Sequence, residues 1–139
     1  AEGVAAAYRS AGVEARVTPF IDDMAQAYAW ADLAICRSGA LTISELAAAG
    51  LGAVLIPFPA AVDDHQTRNA EYLTGNDAAI LLPETQLSAD SLAELLQDLL
   101  ADRGGLTRMG VKARERARPE ALDAIIAACL RAAGTEVDA

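Results

Sequence analysis

The sequence predicts an α/β domain in which a parallel sheet carries helices on both faces. Three observations predict it. Short continuous apolar runs at residues 33–36, 53–56 and 78–82 have the length and character of strands buried on both sides. Stretches with apolar residues at helical spacing separate them, so strand and helix alternate as they do in a sheet wound with helical crossovers. Between the run 33–36 and the helix after it lies Ser38-Gly39-Ala40, a joint too small to shield the first helical amides. Orphan amides and the helix dipole together favour an anion at such a joint.

Each element has its own local reason. In residues 1–12, Val4, Ala7, Tyr8 and Ala11 fall at helical spacing and Gly12 closes the pattern. A chain that opens inside a helix, with no strand before it, is expected to be cut from something longer. Residues 15–20 read as a short strand broken at Pro19, which makes four strand–helix alternations in all. Asp22-Asp23 then start a helix running to about Ala31, with their carboxylates at its positive end. The strand 33–36 leads through the small turn into a helix at 41–49, which Gly50 stops.

Pro57 and Pro59 end the strand 53–56, a polar loop through Asp63-Asp64 follows, and a helix runs from near His65 to about Thr74. Pro83 stops the strand 78–82. Ser88 caps a helix reaching about residue 100, with Leu92, Leu95, Leu96 and Leu99 on one face. Helices at 104–117 and 119–132 complete the domain, taken as residues 1–133, and 134–139 is expected to fray.

Composition bounds the function. The 139 residues are one domain's worth, 53% hydrophobic and 22% charged, so the chain is globular. Aromatics make up 4%, and the core must therefore be built from Ala, Leu, Ile and Val. A formal charge of −9 argues against a nucleic-acid partner and against charge-driven attachment to an anionic membrane. Cys36 and Cys129 have no metal-type spacing and read as two buried thiols of a reduced, cytoplasmic protein. No apolar run approaches the roughly 20 residues of a membrane helix. Lys112, Arg114, Arg116 and Arg118 step by two, which scatters charge around a helix and reads as solvated surface.

The chemistry gathers on three loops at the carboxyl edge of the sheet: Phe20-Ile21-Asp22, residues 38–45 and residues 57–69. Thr42-x-x-Glu45 fits a capping box, in which Glu45 satisfies a backbone amide. The same carboxylate is acceptor-only and suits two neighbouring ribose hydroxyls. Spacing alone leaves both open. His65-Gln66-x-x-Asn69 places three hydrogen-bonding side chains on the start of one helix. The single histidine has no Ser or Cys nucleophile beside it, so a hydrolase triad is unsupported. The acidic pairs Asp22-Asp23 and Asp63-Asp64 read as dipole partners of helix starts, and no protein-bound metal is expected.

Phe20-Ile21-Asp22-Asp23-Met24, Ala27-Tyr28-Ala29-Trp30-Ala31-Asp32, the block Cys36-Arg37-Ser38-Gly39-Ala40-Leu41-Thr42 with Ser44-Glu45, and Pro57-Phe58-Pro59 followed by His65-Gln66-x-x-Asn69-Ala70 together resemble the MurG family of bacterial N-acetylglucosaminyltransferases. The likeness runs in order over about residues 1–130. It implies a Rossmann-like, C-terminal half of a GT-B glycosyltransferase that holds the donor UDP-GlcNAc, without a resident cofactor. It moves Glu45 from cap to ligand contact. By position, the backbone of Ile21 would meet the uracil. Ser38, Gly39, Ala40, Leu41, Thr42, Ile43, Ser44 and Glu45 would surround the diphosphate and ribose, with Thr42 donating to a phosphate. His65, Gln66 and Asn69 would address the GlcNAc, and the turn amides would stabilise departing UDP.

The resemblance also implies what lies elsewhere. Two further strands with a glycine-rich phosphate loop open the family's C-terminal domain, and they would sit between the 15–20 strand and the other three. Without them the sheet must regroup, exchange elements with a second copy or be marginally stable. The lipid I acceptor and the membrane contact, on the cytoplasmic face of the inner membrane, would belong to an N-terminal domain absent from these residues. No turnover is therefore expected of this chain alone. Two other readings share the architecture: a non-catalytic nucleotide-sugar-binding subunit of a split transferase, and another UDP-sugar enzyme such as an epimerase. Gly52 stands where the family usually has proline.

Overall fold

The computed structural model describes residues 2–59 and 64–133, so Asp63 and the tail expected at 134–139 lie outside the described residues. The chain divides into two units, Ala1–Trp30 and Ala31–Ala139. The first holds α1 (Glu2–Ser10) and α2 (Met24–Trp30). Gly12, at φ 66°, ends the α1 segment in the left-handed region that glycine adopts without strain. The Asp23 carboxylate accepts from the Gln26 amide at 2.8 Å, an N-cap where the sequence predicts the helix to start.

Between these helices the expected strand at 15–20 does not form; the segment has no strand assignment and is largely exposed. A strand exists only where a neighbour takes its amides and carbonyls. Val17 and its flanking residues have the composition of a strand but no ladder, and the sheet does not regroup to supply one.

The second unit carries a three-stranded parallel sheet in the order β1-β2-β3, formed by β1 (Ala34–Cys36), β2 (Ala53–Leu55) and β3 (Ala79–Leu81). Ala34 pairs with Ala53 and Ala53 with Ala79, so the strands start level. The Ile56 amide donates to the Cys36 carbonyl and the Leu82 amide to the Leu55 carbonyl, each at 2.9 Å, which extends both ladders to the prolines. All three residues of β2 are buried, as its uninterrupted apolar sequence predicts for the central strand. Alternation sends Val54 to one face with Ile56 and Leu82, where Leu92, Leu95 and Leu99 of α5 (Ala89–Ala101) pack against them.

α3 (Ala40–Ala49) contributes Ile43, Leu46 and Ala47 to the core and ends at Gly50, which sits at φ 69° and bonds back to Leu46 and Ala47. α4 (His65–Thr74) buries Ala70 and Leu73. α5 starts at a reciprocal capping box between Ser88 and Ser91. α6 (Arg103–Glu115) is capped by Asp102 and packs on α3 so closely that a Cβ on Gly110 would stand 2.5 Å from the Gly50 carbonyl oxygen. Met109 of α6 lies over Gly52, which keeps that position small.

Two sequence expectations change here. The basic run is not merely solvated: Arg116 stacks 4.1 Å from the Tyr72 ring centroid and its Nε donates to the Tyr72 carbonyl, while the Tyr72 hydroxyl donates to the Arg116 carbonyl. Lys112 pairs with Asp77 at 2.7 Å. These contacts tie α6 to the α4 side of the sheet. The second change is Cys129, which is exposed because α7 (Ala121–Ala132) buries none of its residues. Cys36 is half-buried, and its surroundings push its thiol pKa up. Among the described residues no helix is long and apolar enough to cross a membrane.

Candidate functional site

The carboxyl ends of β1 and β2 lead to the starts of α3 and α4, which the Ser38 hydroxyl joins through the Gln66 carbonyl. α3 begins one residue earlier than the sequence predicts. Gly39 is its N-cap, in an extended conformation and with no side-chain cap. The Thr42–Glu45 capping box therefore does not form, since both residues lie inside the helix. The first intrahelical bond runs from the Ile43 amide to the Gly39 carbonyl at 3.0 Å, which leaves the amides of Ala40, Leu41 and Thr42 as the orphan donors of the first turn. Ala40 and Leu41 are exposed and Thr42 half-exposed, so an anion can reach this turn.

The other residues of the predicted block divide by direction. Ile43 turns its side chain into the core, leaving only its backbone near the turn. The Ser44 hydroxyl donates to the Ala40 carbonyl of its own helix at 3.1 Å. Glu45 is exposed on the second turn. Ser38 is fully buried: its hydroxyl donates to the Gln66 carbonyl at 2.8 Å, and its own carbonyl accepts from Asn69 Nδ2 at 3.1 Å. Ser38 thus locks the start of α4 against the turn, and its hydroxyl is directed inward.

On α4, His65 is exposed and Gln66 and Asn69 half-buried. Gln66 accepts from the Phe58 amide through Oε1 at 2.9 Å. A backbone N–H can only donate, so the atom meeting it is the oxygen, and Nε2 is left with its two donors on the other side of the amide. Ahead of the helix, Asp64 sits in the left-handed region at φ 53° while its carboxylate accepts from the Thr67 hydroxyl at 2.6 Å. Ile21 belongs to the first unit, where it is exposed in the loop before α2.

The residue that sequence reasoning passed over is Arg37. Its Nη1 donates to the Pro57 carbonyl at 3.0 Å and to the Ile56 carbonyl at 3.3 Å, and it pairs with the Glu84 carboxylate. Its guanidinium stands 5.4 Å from the Phe58 ring centroid. One side chain thus joins the ends of all three strands. A signal was available: a cation directly after a buried strand needs a partner at the same edge, and Glu84 follows the third strand there.

Among the described residues no three His, Cys, Asp or Glu side chains gather as a metal site would require. Two surface grooves of the second unit lie elsewhere, one flanked by Leu95, Asp98 and Arg108 and the other by Gly50, Thr107 and Arg114. Neither includes the α3 turn. What that turn offers is an open face of amides with acceptors and donors set around it, which suits a phosphorylated ligand carrying hydroxyls.

Comparison with known proteins agrees with that chemistry. The family described as the glycosyltransferase family 28 C-terminal domain matches residues 2–125. The chain is 56% identical over 132 residues to the UDP-N-acetylglucosamine–N-acetylmuramyl-(pentapeptide) pyrophosphoryl-undecaprenol N-acetylglucosamine transferase of Marinobacter nauticus, covering 95% of this chain and 36% of that protein. The transferase of the same name from Nitrosococcus oceani is 54% identical, with 95% and 37% covered. The crystal structure of MurG from Acinetobacter baumannii superposes with a TM-score of 0.86 at 43% identity, covering 94% of this chain and 38% of that one. The chain therefore spans little more than a third of the length of the relatives it matches.

Proposed function

Because this chain belongs to the glycosyltransferase family 28 C-terminal domain family, we propose that it is the donor-binding part of an inverting transferase that moves GlcNAc from UDP-GlcNAc to the lipid-linked acceptor, lipid I. The observation that carries the reading is the α3 turn: an N-terminus without a side-chain cap, at the carboxyl edge of a parallel sheet, with Glu45 one turn further on. The amides of Ala40, Leu41 and Thr42 receive the diphosphate, and Thr42 adds its hydroxyl. Glu45 accepts from the ribose hydroxyls. Gln66 and Asn69, with His65 beside them, address the GlcNAc.

Charge on the β-phosphate grows as the anomeric bond breaks, and amides preorganised at a helix N-terminus stabilise it without reorganising. That is how UDP leaves without a protein-bound metal. Acceptor binding, the catalytic base and the membrane contact fall to the two-thirds of the relatives that this chain does not span, on the cytoplasmic face of the inner membrane. The role of these residues is to hold the donor.

Calorimetric titration with UDP, UDP-GlcNAc and UDP-GalNAc tests this. The expected result is binding of UDP-GlcNAc in preference to UDP-GalNAc, lost in Glu45→Ala. A chain shown to be folded by circular dichroism that takes up none of the three would overturn it.

A further inference from the structure

Ser38, Gln66, Phe58, Pro57 and Arg37, at the sheet's carboxyl edge, form a ring joined partly by hydrogen bonds and partly by the chain itself, with Asn69 attached to Ser38. Asn69 donates to the Ser38 carbonyl, the Ser38 hydroxyl donates to the Gln66 carbonyl, and Gln66 Oε1 accepts from the Phe58 amide. Arg37, next to Ser38 in the chain, donates to the Pro57 carbonyl and lies over the Phe58 ring. Pro57 and Phe58 are thus gripped from two directions, by the Gln66 side chain and by the Arg37 guanidinium. Glu84 decides where that guanidinium can sit, because it holds the same Nη1 that reaches Pro57.

We propose that Arg37 and Glu84 are a positioning pair: by fixing the Pro57–Phe58 backbone they fix the Phe58 amide, and so hold the Gln66 amide with its oxygen inward and its nitrogen toward the sugar of a bound nucleotide-sugar. This rests on the donor-binding reading above and adds to it a chemical polarity. With its oxygen engaged by the Phe58 amide, Gln66 turns its two N–H donors to the ligand and reads the oxygen lone pair of a sugar hydroxyl. Neither Arg37 nor Glu84 needs to touch the ligand. Both are half-exposed, so Glu84→Gln keeps the volume, removes the charge and leaves the core untouched.

The effect has two readouts. In the ligand-free chain, Glu84→Gln frees the guanidinium to swing away, and the Phe58 amide exchanges its hydrogen faster, by about tenfold. In titrations the Glu84→Gln chain keeps its affinity for UDP, while the ratio of UDP-GlcNAc to UDP affinity falls about three- to tenfold, the worth of one neutral hydrogen bond. Glu84→Asp, which keeps the charge, retains most of both. Arg37→Lys loses the planar fork and behaves like Glu84→Gln.

Unchanged Phe58 exchange in Glu84→Gln overturns the inference whatever the ligand data show. Faster exchange with equal weakening of UDP and UDP-GlcNAc also overturns it, since the pair would then serve the loop and not the sugar. A native chain that binds no UDP-sugar, yet shows the exchange effect, refutes the donor-binding reading itself, and the positioning role with it.

Discussion

Ser38 and Gln66 stand 28 residues apart in the chain and are joined by a 2.8 Å hydrogen bond from the serine hydroxyl to the glutamine carbonyl. With the serine side chain fully buried, that bond sets the distance between the helix that presents amides and the helix that presents Gln66 and Asn69. The turn between β1 and α3 is therefore a spacer between the two helices.

Ser38→Ala removes the buried hydroxyl and its bond to the Gln66 carbonyl, which keeps its partner within α4. The expected loss of stability is about 0.5–1.5 kcal/mol, the net worth of one intramolecular hydrogen bond. Urea denaturation of the two chains measures it. A difference within error would mean that the bond adds nothing and the spacer role is wrong.

Glu45→Ala separates ligand binding from folding. The side chain is exposed on the second turn of α3, away from the core, and surface substitutions of this kind cost little, so the fold should survive its removal. UDP affinity should drop at least about tenfold, as expected when a charged acceptor of two hydroxyl bonds is lost. Calorimetry reads the affinity and far-ultraviolet circular dichroism the fold. Full affinity in the variant would remove Glu45 from the site.

Gly110→Ala tests the closest helix contact. Its new methyl would stand 2.5 Å from the Gly50 carbonyl oxygen, which is backbone and cannot rotate aside. Overpacking of this kind costs about 1–3 kcal/mol as α3 and α6 move apart. Thermal unfolding should show the loss, and displacement of α3 should weaken UDP binding alongside it. An unchanged melting temperature would show that the two helices separate freely.

Acid should unfasten two contacts of α6. The Gly105 amide, donating to Asp102 at 2.8 Å, together with Arg108 holds that carboxyl below the usual carboxylate range. The hydrogen bond and charge of Lys112 do the same for Asp77. A lowered folded pKa means the unfolded chain takes up protons first. The contribution is present above the unfolded value, about pH 4, and is lost as pH falls through the lower folded value. Stability followed from pH 6 to pH 2.5 should decline, and Asp102→Ala should flatten part of that decline. An identical slope in the variant would show that other carboxylates govern it.

What the sequence determined by itself is everything decided within a few residues. The three buried runs, the stop at Gly50, the caps at Asp23 and Ser88 and the leucine face of α5 are local matters of periodicity, missing side chains and short hydrogen bonds. The order of residues around the α3 turn was legible for the same reason.

Tertiary structure decided the rest, because those features depend on which segments meet. Residues 15–20 have the composition of a strand but no neighbour to complete a ladder. Thr42 and Glu45 match a capping box, yet α3 starts at Ala40 and places both inside the helix. Cys129 lies on a helix whose apolar residues are not buried. Arg37 becomes the tie between three strand ends only once the parallel register brings Pro57 and Glu84 to the edge where β1 stops. A hydrogen bond between residues 20 or 28 positions apart leaves no periodic trace in a sequence; the sheet creates it by setting its strands level.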